Sequence, residues 1–148
     1  MDDQVIACTL YIRADAAAVW NALTDPDVTE AYWGDTRIES DWQPGSKILY
    51  WRGGEVTDEH TILEAVPGRR LVHTFRPLAG ELKDEAPSRV RIELEDGGAV
   101  TRLTLRHDGF APGSRVRSAC AAGWPLILSS LKTLLETGSP LPEFAPGG

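Results

Sequence analysis

Several things are scarce in this chain, and each scarcity excludes a class of protein. It holds two cysteines in 148 residues, where a secreted scaffold built on disulfides carries more in less chain. Cys8 and Cys120 each sit among apolar residues and read as buried reduced thiols. No run approaches the ~18 consecutive apolar residues of a spanning helix. The N-terminus, MDDQVIACTL, starts acidic and lacks a basic region followed by a long apolar one, so a secretory signal is not expected and the expected location is the cytoplasm. Basic residues are outnumbered, the formal net charge is −7, and the arginines are scattered, which argues against nucleic acid as a partner. Motifs of the established enzyme classes are missing too. There is no GxSxG, HExxH, P-loop, GxGxxG or CxxC, and nothing calls for a metal or a cofactor.

What is present is a periodic pattern. The length suits one domain, expected over residues 1–138, with a proline-rich tail at 139–148. In VIACTLYIR, Ile6, Cys8, Leu10 and Ile12 share one face of a strand. Asp15 can cap a helix through AAAVWNAL. Asp25-Pro26 ends it and starts a second short helix, with proline at its first position. Residues 36–41 read as a weak strand. SKILYW and EHTILEAV are strands joined through RGGEVTD, RRLVHTF is another, and RPLAGELKDEAPS reads as a mobile loop. SRVRIELE and AVTRLTLRH flank Asp96-Gly97-Gly98 as a hairpin. Short links favour antiparallel pairing. The expected class is α+β: a curved antiparallel sheet of six or seven strands, two short helices after the first strand, and one long C-terminal helix over residues 115–137.

That last helix contains GWPLILSSLKTLLETG. Cys120, Trp124, Ile127, Leu128, Leu131, Leu134 and Leu135 recur at three- and four-residue steps, with polar residues behind, so one wide face is buried. Pro125 removes a backbone hydrogen bond at a cost of roughly 3 kcal/mol. Burial of the large side chains, at roughly 1.5–3 kcal/mol each, outweighs it. The helix is expected to bend near Gly123-Trp124, which raises the question of a space beside Trp124.

Taken together, IRADAAAVWNALTDPDVTEAYWG, LEAVPGRRLVHTF, VRIELEDGGAVTRLTLRHDGF and GWPLILSSLKTLLETG resemble the activator of heat shock protein 90 ATPase-like family of the START-like (birch-pollen-allergen-like, polyketide-cyclase-like) superfamily. The resemblance runs from about residue 5 to 138. It implies a helix-grip fold with a cavity between sheet and C-terminal helix, a cavity that in this superfamily commonly holds lipids, sterols, polyketides or other apolar molecules. The family's founding co-chaperone carries a further N-terminal domain, which is not expected here because the sequence opens at the first strand, so a chaperone partner is not the expected reading.

Candidate cavity residues come from the aromatics. The chain has five tryptophans, and Trp33, Trp42 and Trp51 crowd one third of it. Trp33 and Trp42 fall in expected loops, where specificity tends to reside. With Tyr50, Phe75, Trp124 and Leu128 they form the expected pocket lining. His73, on the same strand face as Leu71 and Phe75, would place a polar group on that wall. Glu55, Asp58 and Glu59 read as a solvated hairpin tip. The expected function is binding of a small apolar ligand, lipid-like or aromatic, without catalysis. The alternatives are a cyclase or hydrolase on an apolar substrate, with His73 or His60 as acid or base, and a protein-interaction module or chaperone ATPase regulator. A homodimer is compatible with a domain of this size.

Overall fold

A computed structural model describes residues 4–143. β1 (Ile6–Ile12) leads into α1 (Ala16–Thr24) and α2 (Pro26–Tyr32). Six strands follow: β2 (Arg37–Ser40), β3 (Lys47–Arg52), β4 (Glu55–Val66), β5 (Arg70–Phe75), β6 (Ser88–Asp96) and β7 (Thr101–Asp108). The last element is α3 (Arg115–Thr137). All neighbours are antiparallel, in the order β1-β7-β6-β5-β4-β3-β2. The first strand therefore closes on the last, pairing Ile6 with His107 and Ile12 with Thr101. Irregularities at Tyr50/Trp51 and Ile62/Glu64 interrupt the ladder on both sides of β4. Such bulges sharpen local twist, and the sheet is curved and open around α3. This is the α+β helix-grip arrangement.

Strand alternation decides what faces inward. Tyr50 on β3, Asp58, His60 and Ile62 on β4, Leu71, His73 and Phe75 on β5, Val90, Ile92 and Leu94 on β6, and Leu103, Leu105 and His107 on β7 are all buried. From the other side α3 contributes Val116, Trp124, Leu128 and Leu131. Its ends are fixed by local chemistry. The Ser114 side chain accepts from the Arg117 N–H, and Gly138 takes a left-handed φ of 89° at the C-terminus, a conformation that favours glycine.

Four local expectations need correction. The β3–β4 connection is not RGGEVTD but the two residues Gly53 and Gly54, with φ of 58° and 81°; these angles suit a tight hairpin turn matched to strand twist. Glu55, Val56, Thr57 and Asp58 consequently belong to β4. The segment after β5 is not a free loop. Leu78 N–H donates to the Thr57 carbonyl, residues 80–84 form a 3-10 turn, and Glu85 accepts from the Ser114 hydroxyl and from the backbone N–H groups of Arg115 and Val116. A carboxylate at a helix N-terminus satisfies donors that the helix itself leaves open. Those bonds, the Ser114 bond foremost, hold Glu85 below its ordinary pKa. Ser130, assigned to the polar back of α3, is buried, because the chain after Gly138 returns and Leu141 N–H donates to its hydroxyl at 3.2 Å. That contact also anchors the start of the expected tail; residues 144–148 lie outside the described residues.

Candidate functional site

Between β3, β4, the segment after β5 and the first half of α3 lies a cavity of about 310 Å³. Its apolar lining comes from Trp33, Tyr50, Phe75, Val116, Trp124 and Ile127, its floor and rim from Pro77, Leu82, Ala119 and Cys120. Gly123 and Trp124 both line it, so the space beside Trp124 exists, next to Pro125. Trp33 is delivered as the residue that ends α2, its backbone N–H donating to Thr29. Its ring stands edge-on to both Tyr50 and Trp124, centroids 5.6 Å apart in each case, a favoured arrangement for aromatic pairs.

The expected lining residues divide into three groups. Trp33, Tyr50, Phe75 and Trp124 meet at the cavity. Trp42 and His73 instead line a separate void of about 10 Å³ behind Trp33 and Tyr50, space for about one water at most. Leu128 lines neither space and is buried in the core. A wider, open groove of about 930 Å³ lies on the outer side of α3, where Ala31, Gly34, Leu126 and Ile127 face Leu141 and Pro142; its lining holds no buried ionisable group other than Tyr32.

Behind the cavity wall the three histidines converge. His60 stacks on Phe75 at 4.5 Å and stands 5.2 Å from His73, while Phe75 separates them from His107 at 4.9 Å. Their hydrogen bonds assign the protons. His107 Nδ1 accepts from Trp124 Nε1–H at 3.1 Å, so its Nε2–H faces the Ser88 hydroxyl at 2.7 Å. His73 Nδ1–H donates to the Thr74 carbonyl at 2.7 Å. His60 Nδ1 accepts from the Arg76 N–H at 2.8 Å, which leaves Nε2–H without a partner. Burial drives all three pKa values down, to about 4 for His73 and about 3 for His107, and well below the ordinary value for His60. They are neutral at pH 7. Among the described residues no group of three or more His, Cys, Asp and Glu is placed to hold a metal ion.

Among the lining residues that were not expected, one had been assigned to a solvated hairpin tip. Asp58 is buried, 6% exposed, and it lines the cavity beside Arg52 and Thr57. Thr57 donates its hydroxyl to Asp58 Oδ1 at 2.8 Å, Arg52 Nη1 stands 3.9 Å from the same oxygen, and His60 Nε2 lies 3.7 Å from Oδ2. Burial raises the Asp58 pKa, with the Thr57 bond and Arg52 opposing it. The signal was in the sequence: continuing the alternation of Ile62 and His60 by one more step places Asp58 on the inward face. Burial also pushes Tyr50 well above its ordinary pKa, and the charge of Asp58 adds to that shift. Burial pushes the Cys120 thiol up to about 12, again with help from Asp58, so it is an unreactive thiol.

Comparison with known proteins places this geometry in context. The family model described as activator of Hsp90 ATPase homolog 1-like protein matches residues 13–136. Among solved structures, a protein of Mesorhizobium loti is 24% identical with a TM-score of 0.72, covering 89% of this chain and 96% of that one. The Aha1 dimer of Colwellia psychrerythraea is 20% identical with a TM-score of 0.72, covering 90% and 97%. DynU16, of the dynemicin biosynthetic locus, is 23% identical with a TM-score of 0.72, covering 93% of this chain and 49% of that one. At these identities the likeness is one of fold. A search of curated proteins gives no match. Among the described residues no helix is long and apolar enough to cross a membrane.

Proposed function

The chain belongs to the activator of Hsp90 ATPase homolog 1-like family, and we propose that it binds a small apolar molecule in the cavity between sheet and C-terminal helix, without transforming it. The observation that carries this reading is the space of about 310 Å³ walled by Trp33, Tyr50, Phe75 and Trp124. That volume is at the low end of the ~300–1,000 Å³ of small-molecule sites. It suits a compact aromatic or a short lipid-like molecule better than a sterol or a long acyl chain. A histidine acid or base has less support, since neither His60 nor His73 lines the cavity. Each is neutral, with its Nδ1 already engaged.

A thermal-shift screen with compact aromatic and lipid-like compounds tests the proposal. A ligand at 100 times its Kd stabilises the fold by about 2.7 kcal/mol, a rise of roughly 5–10 °C for a domain of this size. Ala119, exposed at the cavity rim, offers the control. Ala119→Trp should leave the unliganded Tm close to that of the wild type and abolish the shift. A shift that survives in this variant places the ligand elsewhere, and no shift with any compound rejects the reading.

A further inference from the structure

We infer that the cavity selects its ligand through one hydrogen bond, Asp58 accepting from a hydroxyl on a neutral, compact aromatic molecule, and that it rejects carboxylated ligands such as fatty acids. This rests on the binding reading above and adds the chemistry of the ligand's polar end.

Asp58 and Arg52 are the charged side chains of the cavity lining. Oδ1 of Asp58 is occupied by the Thr57 hydroxyl. Oδ2 accepts no hydrogen bond from the described residues. His60 Nε2–H, on the next inward-facing residue of β4, is 3.7 Å away, beyond hydrogen-bond range. That N–H cannot turn to another partner, because the Arg76 N–H fixes the tautomer from the other side of the ring and the His60 side chain is fully buried. A carboxylate oxygen with unused acceptor capacity is thus held on the residue that lines the cavity, where a ligand hydroxyl can take the place of water.

Charge decides what fills the vacancy in its bonding. Arg52 stands 3.9 Å from Asp58, and it is itself held by the Thr36 and Thr57 hydroxyls. One cation already offsets the carboxylate, so the corner needs no second one. An anionic ligand would find the Arg52 charge already matched by Asp58, would have no proton to donate to Oδ2, and would lose its own hydration on entering an apolar space. A neutral hydroxyl meets none of these objections. It donates to Oδ2, and its own oxygen keeps lone pairs for Tyr50, the residue directly opposite Asp58 in the β3–β4 register. Burial keeps the Tyr50 phenol protonated, and among the described residues its hydroxyl makes no hydrogen bond, so it is able to donate.

Three molecules sharing one ring system separate these terms: naphthalene, 2-naphthol and 2-naphthoate. Each is titrated at pH 7 into the ¹⁵N-labelled full chain, following the indole N–H signals of Trp33 and Trp124. A hydrogen bond to a charged acceptor should make 2-naphthol about tenfold tighter than naphthalene or better, with 2-naphthoate the weakest. Asp58→Asn keeps the volume and removes the charge; it should shrink the naphthol advantage and admit naphthoate. Equal affinities for all three, or naphthoate binding tightest, overturn the selection by Asp58 while leaving the cavity as a binding site. Indole signals that move with none of the three, naphthalene included, overturn the binding reading and this one with it. The wild-type ranking decides by itself should the variant fail to fold.

Discussion

His107 is tied at both ring nitrogens, to Trp124 on α3 and to Ser88 on β6, and is fully buried. The indole of Trp124 therefore serves the fold through its N–H as well as the cavity through its ring. Trp124→Phe keeps an aromatic and leaves Nδ1 of His107 without a donor. A buried acceptor stripped of its partner costs about 1–3 kcal/mol. Urea unfolding should show the midpoint falling at constant slope; a variant as stable as the wild type would mean the bond contributes nothing net. Such pairings explain what was readable in single residues and what was not. The aromatic content pointed to Trp33, Tyr50, Phe75 and Trp124, because large apolar side chains announce burial wherever they fall. Asp58 was assigned to a solvated tip because a carboxylate next to Glu55 and Glu59 normally is one. The strand that carries it starts at Glu55, four residues before the expected start at Glu59, and that shift alone turns it inward.

At the scale of elements, α3 was the most legible, since its period, its Ser114 cap and its Gly138 stop are all local signals. The segment after β5 was not, because what pins it is Glu85 reaching across to Ser114, Arg115 and Val116, a partnership between distant residues with no pattern of its own. Pro125 is the conspicuous anomaly. It sits inside a helix that continues unbroken from Arg115 to Thr137, and its side chain is exposed. Replacing it removes little packing and restores a backbone donor. Pro125→Ala should stabilise the protein by about 1–3 kcal/mol, given the ~3 kcal/mol cost of an interior proline. If the proline holds the first half of α3 off the sheet, the same variant should bind naphthalene more weakly. Unfolding curves and an indole-signal titration read the two effects separately. Unchanged stability would show that the helix accommodates proline here without penalty.

For the whole molecule, the curved sheet gathers three histidines from β4, β5 and β7 into one buried patch, and the consequence is a dependence of stability on acid. Each ring is neutral in the fold, with its pKa driven down chiefly by burial; the presence of the other histidines lowers His60 further. Unfolded, each returns to about 6.5. Below that pH the unfolded chain binds protons that the folded one refuses, so stability falls with pH through the window from about 6.5 down to the folded value of about 4 for His73 and about 3 for His107. Glu85 and Glu136 are held below their ordinary values by hydrogen bonds, and their loss begins only in more acidic solution. Asp58, raised by burial, acts in the opposite sense and offsets part of the effect. Between pH 7 and pH 5 His73 and His107 each remove about 2 kcal/mol, His60 acts in the same direction, and the sum is a large part of the total stability of a small domain, about 5–15 kcal/mol. Guanidinium unfolding across that range should show a steep fall in midpoint. His73→Asn, which keeps a donor for the Thr74 carbonyl, should lessen the fall between pH 7 and pH 5 by about 2 kcal/mol. A midpoint that stays constant from pH 7 to pH 5 would require the histidines to be charged in the folded protein, with compensating partners that their buried, neutral hydrogen-bond pattern does not provide.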